Sequence, residues 1–192
     1  MDVVGSLKSE VFRPALMLLI PGLVAGAPFL FVLLTYQPAV LDFADSHATL
    51  STFLSFVASA VFGMITYDLG SHIEVSFIDR RLKRKSNSTI VEDWYRYLRS
   101  YLPDRLVAYN YIHDRVLFLH FELGMTAALP FCAVGTTWAW FVRCDFPTTW
   151  FIYSIAGLFF ATFFFLYEAC STAQMLADLR KELLKGFGSP AS

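Results

Sequence analysis

The chain has 192 residues, of which 56% are apolar, 17% aromatic and only 16% charged, against roughly 25% charged in an ordinary soluble domain. This is the composition of a membrane protein, and a net charge of −1 excludes the global basic field of a nucleic-acid binder, so no direct nucleic-acid contact is expected. Cys132, Cys144 and Cys170 show no paired spacing, which implies neither a disulfide framework nor a zinc site.

In chain order, the first apolar run follows Lys8 and Arg13 and contains Ala25-Gly26-Ala27, an imitation of a signal peptide. The run continues to about Leu34, so it reads as a retained span. Segments free of Asp, Glu, Lys and Arg then run from Pro14 to Leu41, Ala48 to Tyr67, Leu123 to Val142 and Phe146 to Tyr167. Each reaches the roughly 20 residues that cross about 30 Å of hydrocarbon, which predicts four transmembrane helices. The loops expected at about 35–47 and 142–147 carry one cation, Arg143, while the N-terminus, the 68–115 segment and the tail carry the other fourteen of fifteen. The positive-inside rule therefore places both termini and the central segment in the cytoplasm.

The first span contains Pro21, Pro28 and the pair Gly22 and Gly26 at spacing four. Prolines bend a spanning helix, and small residues let another backbone approach. The second span has Ser51, Ser55, Ser59 and Gly63 at strict spacing of four. In lipid such a row reads as a contact stripe, within the subunit or between subunits, and the expected assembly is a homo-oligomer. If the helix continues straight, the stripe passes on to Gly70 and Glu74 while Asp68, His72 and Asp79 share a different face, at 100° per residue.

Below that span stand Arg80, Arg81, Lys83, Arg84 and Lys85. A basic block beside a span contacts anionic lipid in the first instance and an acidic partner in the second. Next, Thr89-x-x-Glu92 resembles a capping box opening a short helix, whose apolar side is Ile90, Trp94, Tyr97, Leu98 and Tyr101. Pro103 ends it, and a second pattern from Asp104 runs into the third span. There His120, Gly124, Ala128, Phe131 and Gly135 share a face and Glu122 is turned to the other side. The fourth span is rich in phenylalanine, with Gly157 and Ala161 opposite leading down to Glu168, and its pattern continues through Leu176, Leu179 and Leu183 towards a GFGSPAS tail expected to be disordered.

Asp68, His72, Glu74, His120, Glu122 and Glu168 thus form an expected polar layer at one membrane boundary, read first as interhelical hydrogen bonds and ion pairs and second as a pore, gate or sensing site, because ionisable groups at that depth are costly. No HExxH signature, histidine pair, nucleotide-binding glycine loop or nucleophile elbow accompanies it, so no cofactor, metal or enzymatic activity is expected. Arg115 and His120 match the RxxxxH pattern of HEPN-type ribonucleases, but at the start of a span, which places the histidine in or near lipid and away from RNA.

The topology, and the stretch TYDLGSHIEVSFIDRRLKRK leaving the second span before an aromatic-rich insert, resemble the small four-span bacterial membrane proteins of antiviral defence systems, of the Kiwa KwaA-like type. The resemblance implies an inner-membrane sensor or effector that oligomerises and works with a soluble cytoplasmic partner; it carries over no functional residue. The expected fold is an all-α membrane protein of four transmembrane helices in two hairpins, 1–67 and 116–167, with a cytoplasmic helical insert and stalk over 68–115 and a helical tail over 168–192. Helices 2–4 are expected to extend into the cytoplasm. The alternatives are an ion channel or small transporter, and a membrane enzyme using the His/carboxylate layer.

Overall fold

An uncharged run in hydrocarbon has no water to satisfy its peptide groups, so it must close its own hydrogen bonds, and a helix is the way one segment can do so. The computed structural model describes residues 3–85, 105–143 and 147–186, which are helical almost throughout, with no strand among the described residues. In order these are α1 (Val3–Tyr36), α2 (Pro38–Ser46), α3 (Ala48–Ile73), a π turn (Glu74–Ile78), α4 (Asp79–Lys85), α5 (Arg105–Arg143) and α6 (Thr148–Gly186). Four stretches are long and apolar enough to cross a membrane, Ala15–Tyr36, Ala48–Leu82, Tyr111–Val142 and Thr148–Leu179, the pattern of a multi-pass membrane protein. The insert with its Thr89-x-x-Glu92 box, Cys144 and, of the GFGSPAS stretch, all but Gly186, which closes α6, lie outside the described residues.

Where a loop is expected at 35–47, the chain forms α2, begun by Pro38 in its first turn. Proline's fixed φ suits that position and its missing N–H is not needed there. None of the residues of α2 is buried.

Helix α5 is the hub: it packs along α1, α3 and α6, α1 also packs on α3, and the main neighbour of α6 is α5. The α1–α3 contact is built on glycine. A Cβ on Gly22 would collide with the Ser59 carbonyl and one on Gly63 with the Leu18 carbonyl. The obstacle in both cases is backbone. The prolines of α1 act as packing shapes: Pro21, fully buried, lies over Gly124 of α5, and Pro28 lies over Gly135, where a Cβ would be 2.8 Å from its ring. The row of hydroxyls on α3 needs no partner helix, since Ser59 donates to the Ser55 carbonyl at 2.8 Å and Thr66 to the Gly63 carbonyl at 3.0 Å. Gly22, Ser59 and Gly63 therefore meet inside one subunit; Gly26 sits under the Phe62 ring, and Ser51 and Ser55 are half-buried.

The expectation of a straight helix below α3 is corrected by the π turn. Asp79 N–H donates to the Glu74 carbonyl, five residues back, which adds one residue to that turn. Buried positions on α3 are Ser59, Gly63, Thr66 and Gly70; at 3.6 residues per turn the same face would next reach about residues 77 and 81. The extra residue brings Ile78 there instead, 1% exposed, with Leu82 packed behind it, and leaves Phe77 51% exposed and Arg81 in the open. It also turns Asp79 by about 100° from the face it was expected to share with Asp68 and His72.

A measurable consequence follows for chain length at this point. Deleting the exposed Ser76 converts the π turn to an α turn and keeps Ile78 and Leu82 on the core, so the melting temperature of the purified protein should change by only a few degrees. Inserting one alanine after Ser76 rotates both out and Arg81 in, and should cost several kcal/mol and most of the folded yield. Equal effects of the two changes would refute this register.

Candidate functional site at the basic end of the bundle

The end of the bundle next to the basic block has its own small core. Ile78, Ile112, Leu119, Leu123, Ala169, Ala173 and Leu176 are buried together, with Ile73, Leu82, Val116 and Leu179 packed on them. Alanines on α6 let that helix come close to α5, and the Ile78 side chain wedges beside them. Gly70 makes the matching close contact above, where a Cβ would be 3.0 Å from the Leu123 backbone.

Into this apolar surrounding the chain places Glu122. Its Oε1 accepts a hydrogen bond from Thr172 Oγ1 at 3.2 Å, the contact that ties α5 to α6 at this level. Its Oε2 is buried and has no hydrogen-bond partner. The carboxylate of Glu168, one turn before Thr172, and the guanidinium of Arg115, two turns before Glu122, both act on this carboxyl, the first repelling and the second attracting it. Arg115 also lies over the Tyr111 ring at 5.3 Å. A second contact stands to the α3 side: the His120 imidazole stacks on the Tyr67 ring at 5.2 Å. A desolvated carboxylate oxygen without a donor is costly, on the order of 1–3 kcal/mol and more when charged.

The expected polar layer is thus divided. Glu122 and Glu168 come together, with Thr172 and Arg115 as members the sequence reading did not include. His120 belongs to a separate contact with Tyr67. Asp68 and His72 are exposed on α3, and Glu74, half-buried, opens the π turn and is engaged in an interaction of its own. Thr172 could have been found from its place one turn after Glu168 on the same face of α6; nothing in the sequence spacing pairs it with a residue 50 positions away. Of the basic block, Arg80 and Arg81 are exposed, and the side chains of Lys83, Arg84 and Lys85 lie outside the described residues. Among the described residues no group of three His, Cys, Asp or Glu stands close enough to hold a metal ion.

The upper part of α6 is different in kind. Phe159, Phe160, Phe163 and Phe164 are all at least half exposed, and Gly157 has nothing within 4 Å. Ring contacts with α5 include Trp140 stacked on Phe151 at 4.7 Å in this part and Phe121 edge-on to Phe165 at 6.2 Å nearer the basic end. So α6 meets α5 closely at the basic end and leaves a phenylalanine face exposed above it.

Comparison with families of known proteins, with characterised proteins and with solved structures finds no match to this chain.

Proposed function

We propose that this chain is a non-enzymatic sensor or effector of the bacterial inner membrane, acting in antiphage defence, with both termini in the cytoplasm. It works as a homo-oligomer and couples to a soluble cytoplasmic protein. The observation that carries the reading is the Glu122–Thr172 contact: one hydroxyl satisfies one oxygen of a carboxyl at membrane depth, and the other oxygen has no donor. The undonated oxygen reduces the difference in free energy between the closed arrangement, held by the apolar contacts around Leu119, Leu123, Ala169 and Ala173, and one in which α6 shifts and the carboxyl gains water, the direction a two-state element needs. Two further features support the reading. Helices α5 and α6 have 39 residues each, roughly 58 Å, about twice the hydrocarbon thickness, so they can carry a change at the seam into the cytoplasm. The phenylalanine face of α6 offers a second copy an apolar surface.

The test is phage plating on a host carrying the chain with its genomic neighbours against the same host lacking only this chain, together with recovery of a soluble protein bound to the tagged chain. Protection that disappears with the chain, and with Glu122→Leu, supports the proposal. Unchanged plating, or a steady ion-selective current from the isolated protein in a planar bilayer without any partner, overturns it in favour of a channel.

A further inference from the structure

Between the lower half of α3 and α6, with α5 as the floor, the seam holds two hollows one below the other. The first, about 590 Å³, is walled by Leu69, Phe77, Pro130 and Leu166, with His72 and Ser76 on its α3 side. The second, about 300 Å³, lies between α4 and α6, where Arg81 and Leu82 face Tyr167, Ser171 and Gln174. They adjoin, since Phe77 of the first precedes Ile78 of the second and Leu166 lies one helical turn above Cys170 on the same side of α6.

The order of chemistry along the seam is apolar at membrane depth, then polar with a guanidinium at the boundary. The π turn produces that order, because it carries Arg81 off the core face and into the mouth of the lower hollow while Phe77 stays beside the upper one. Both volumes fall in or near the range of small-molecule sites. Arg81 stands in a run of five cations, Arg80, Arg81, Lys83, Arg84 and Lys85, and a guanidinium recognises phosphate oxygens as a planar fork. A molecule that fits has an anionic phosphate head and a long apolar chain, and such molecules form the surroundings of this surface.

We propose that the seam between α3 and α6 binds one anionic phospholipid from the leaflet on the basic side, its phosphate held by Arg81 and the Ser171 hydroxyl and one acyl chain laid between Phe77 and Leu166. This is a defined site for a single lipid, distinct from the diffuse attraction of a basic block to a charged bilayer, and it holds whether or not the chain acts in defence. A lipid seated there bridges α3 and α6, which otherwise meet little above the Ile78 wedge.

The experiment uses the full chain purified in a neutral detergent, with native mass spectrometry and thermal denaturation after addition of phosphatidylglycerol, phosphatidylcholine with the same chains, or inorganic phosphate. One phosphatidylglycerol should be retained per chain and should raise the melting temperature, with phosphatidylcholine retained about tenfold less well and stabilising less, and phosphate alone doing neither. Arg81→Gln should weaken retention about tenfold, the value of one charge-assisted contact. Ser171→Asp, which keeps Arg81 and sets a like charge beside the phosphate, should do the same. Arg80→Gln should change retention less than about twofold, as expected of a cation outside the site. Equal stabilisation by the two lipids, a full shift with phosphate alone, or equal losses for Arg80→Gln and Arg81→Gln would each overturn the site.

Discussion

Gly63→Leu is expected to abolish the folded protein. A side chain at this position runs into the carbonyl of Leu18 on α1, and the space on the other side is taken by Gly22, which is itself pressed against Ser59 and Gly63. Overpacking a core usually costs about 1–3 kcal/mol because side chains can shift. Here the blocking atoms belong to two helix backbones, so relief requires separating α1 from α3 along much of their contact, a large share of a typical total stability of about 5–15 kcal/mol. The expected result is loss of monodisperse protein after extraction, with any remainder melting well below the unmodified chain. Gly157→Leu is the matched control, because nothing lies within 4 Å of that glycine; its melting temperature should stay within about 2 °C. If both leucines behave alike, the close approach of α1 and α3 is not what holds the bundle.

Glu122→Leu is expected to act in the opposite direction on stability. It removes a buried oxygen that has no donor and replaces it with a side chain suited to the Leu119 and Leu123 surroundings, while Thr172 can turn its hydroxyl to a carbonyl of its own helix as Thr126 and Thr162 do. Taking out an unsatisfied buried polar group is worth about 1–3 kcal/mol, read as a rise in melting temperature of several degrees for a chain of this size. If the seam is the moving part, the more stable protein is also the inactive one, because the closed arrangement of α5 and α6 has been deepened. Glu122→Gln separates charge from shape: it keeps an acceptor for Thr172 and removes the repulsion from Glu168. Glu122→Leu that melts lower than the unmodified chain would show that the carboxyl has partners which make it stabilising, and would remove the basis for a two-state seam.

The two substitutions probe different kinds of helix contact in one molecule. Around Gly22 and Gly63, α1, α3 and α5 interlock at backbone distance and have no alternative packing of similar energy. Along Glu122 and Thr172 the close apolar contact of α5 and α6, built on Leu119, Leu123, Ala169 and Ala173, contains one half-satisfied polar pair, and above it α6 presents exposed phenylalanines. A change that moves α6 against a fixed α1–α3–α5 unit is the motion this division permits.

What the sequence determined by itself is the class of structure. Uncharged runs of membrane length dictate helices because hydrocarbon leaves the peptide groups no other partner. The small residues at spacing four on α1 and α3 likewise announced close packing, since each helix carries that message locally. Tertiary structure alone decided who meets whom. The stripe of Ser59 and Gly63 serves α1 within the chain, a choice set by the shape of Gly22 and Leu18 and not by the stripe. The π turn has no marker in EVSFI; it exists because the apolar side chains of Ile78 and Leu82 gain a core that a regular helix would have given to Phe77 and Arg81. Glu122 was visible as an ionisable group at membrane depth, but its pairing with Thr172 joins residues 50 apart. Such a contact depends on the approach of α6 over its small alanines, Ala169 and Ala173, and long-range steric fit of that kind is not written in the spacing of either helix.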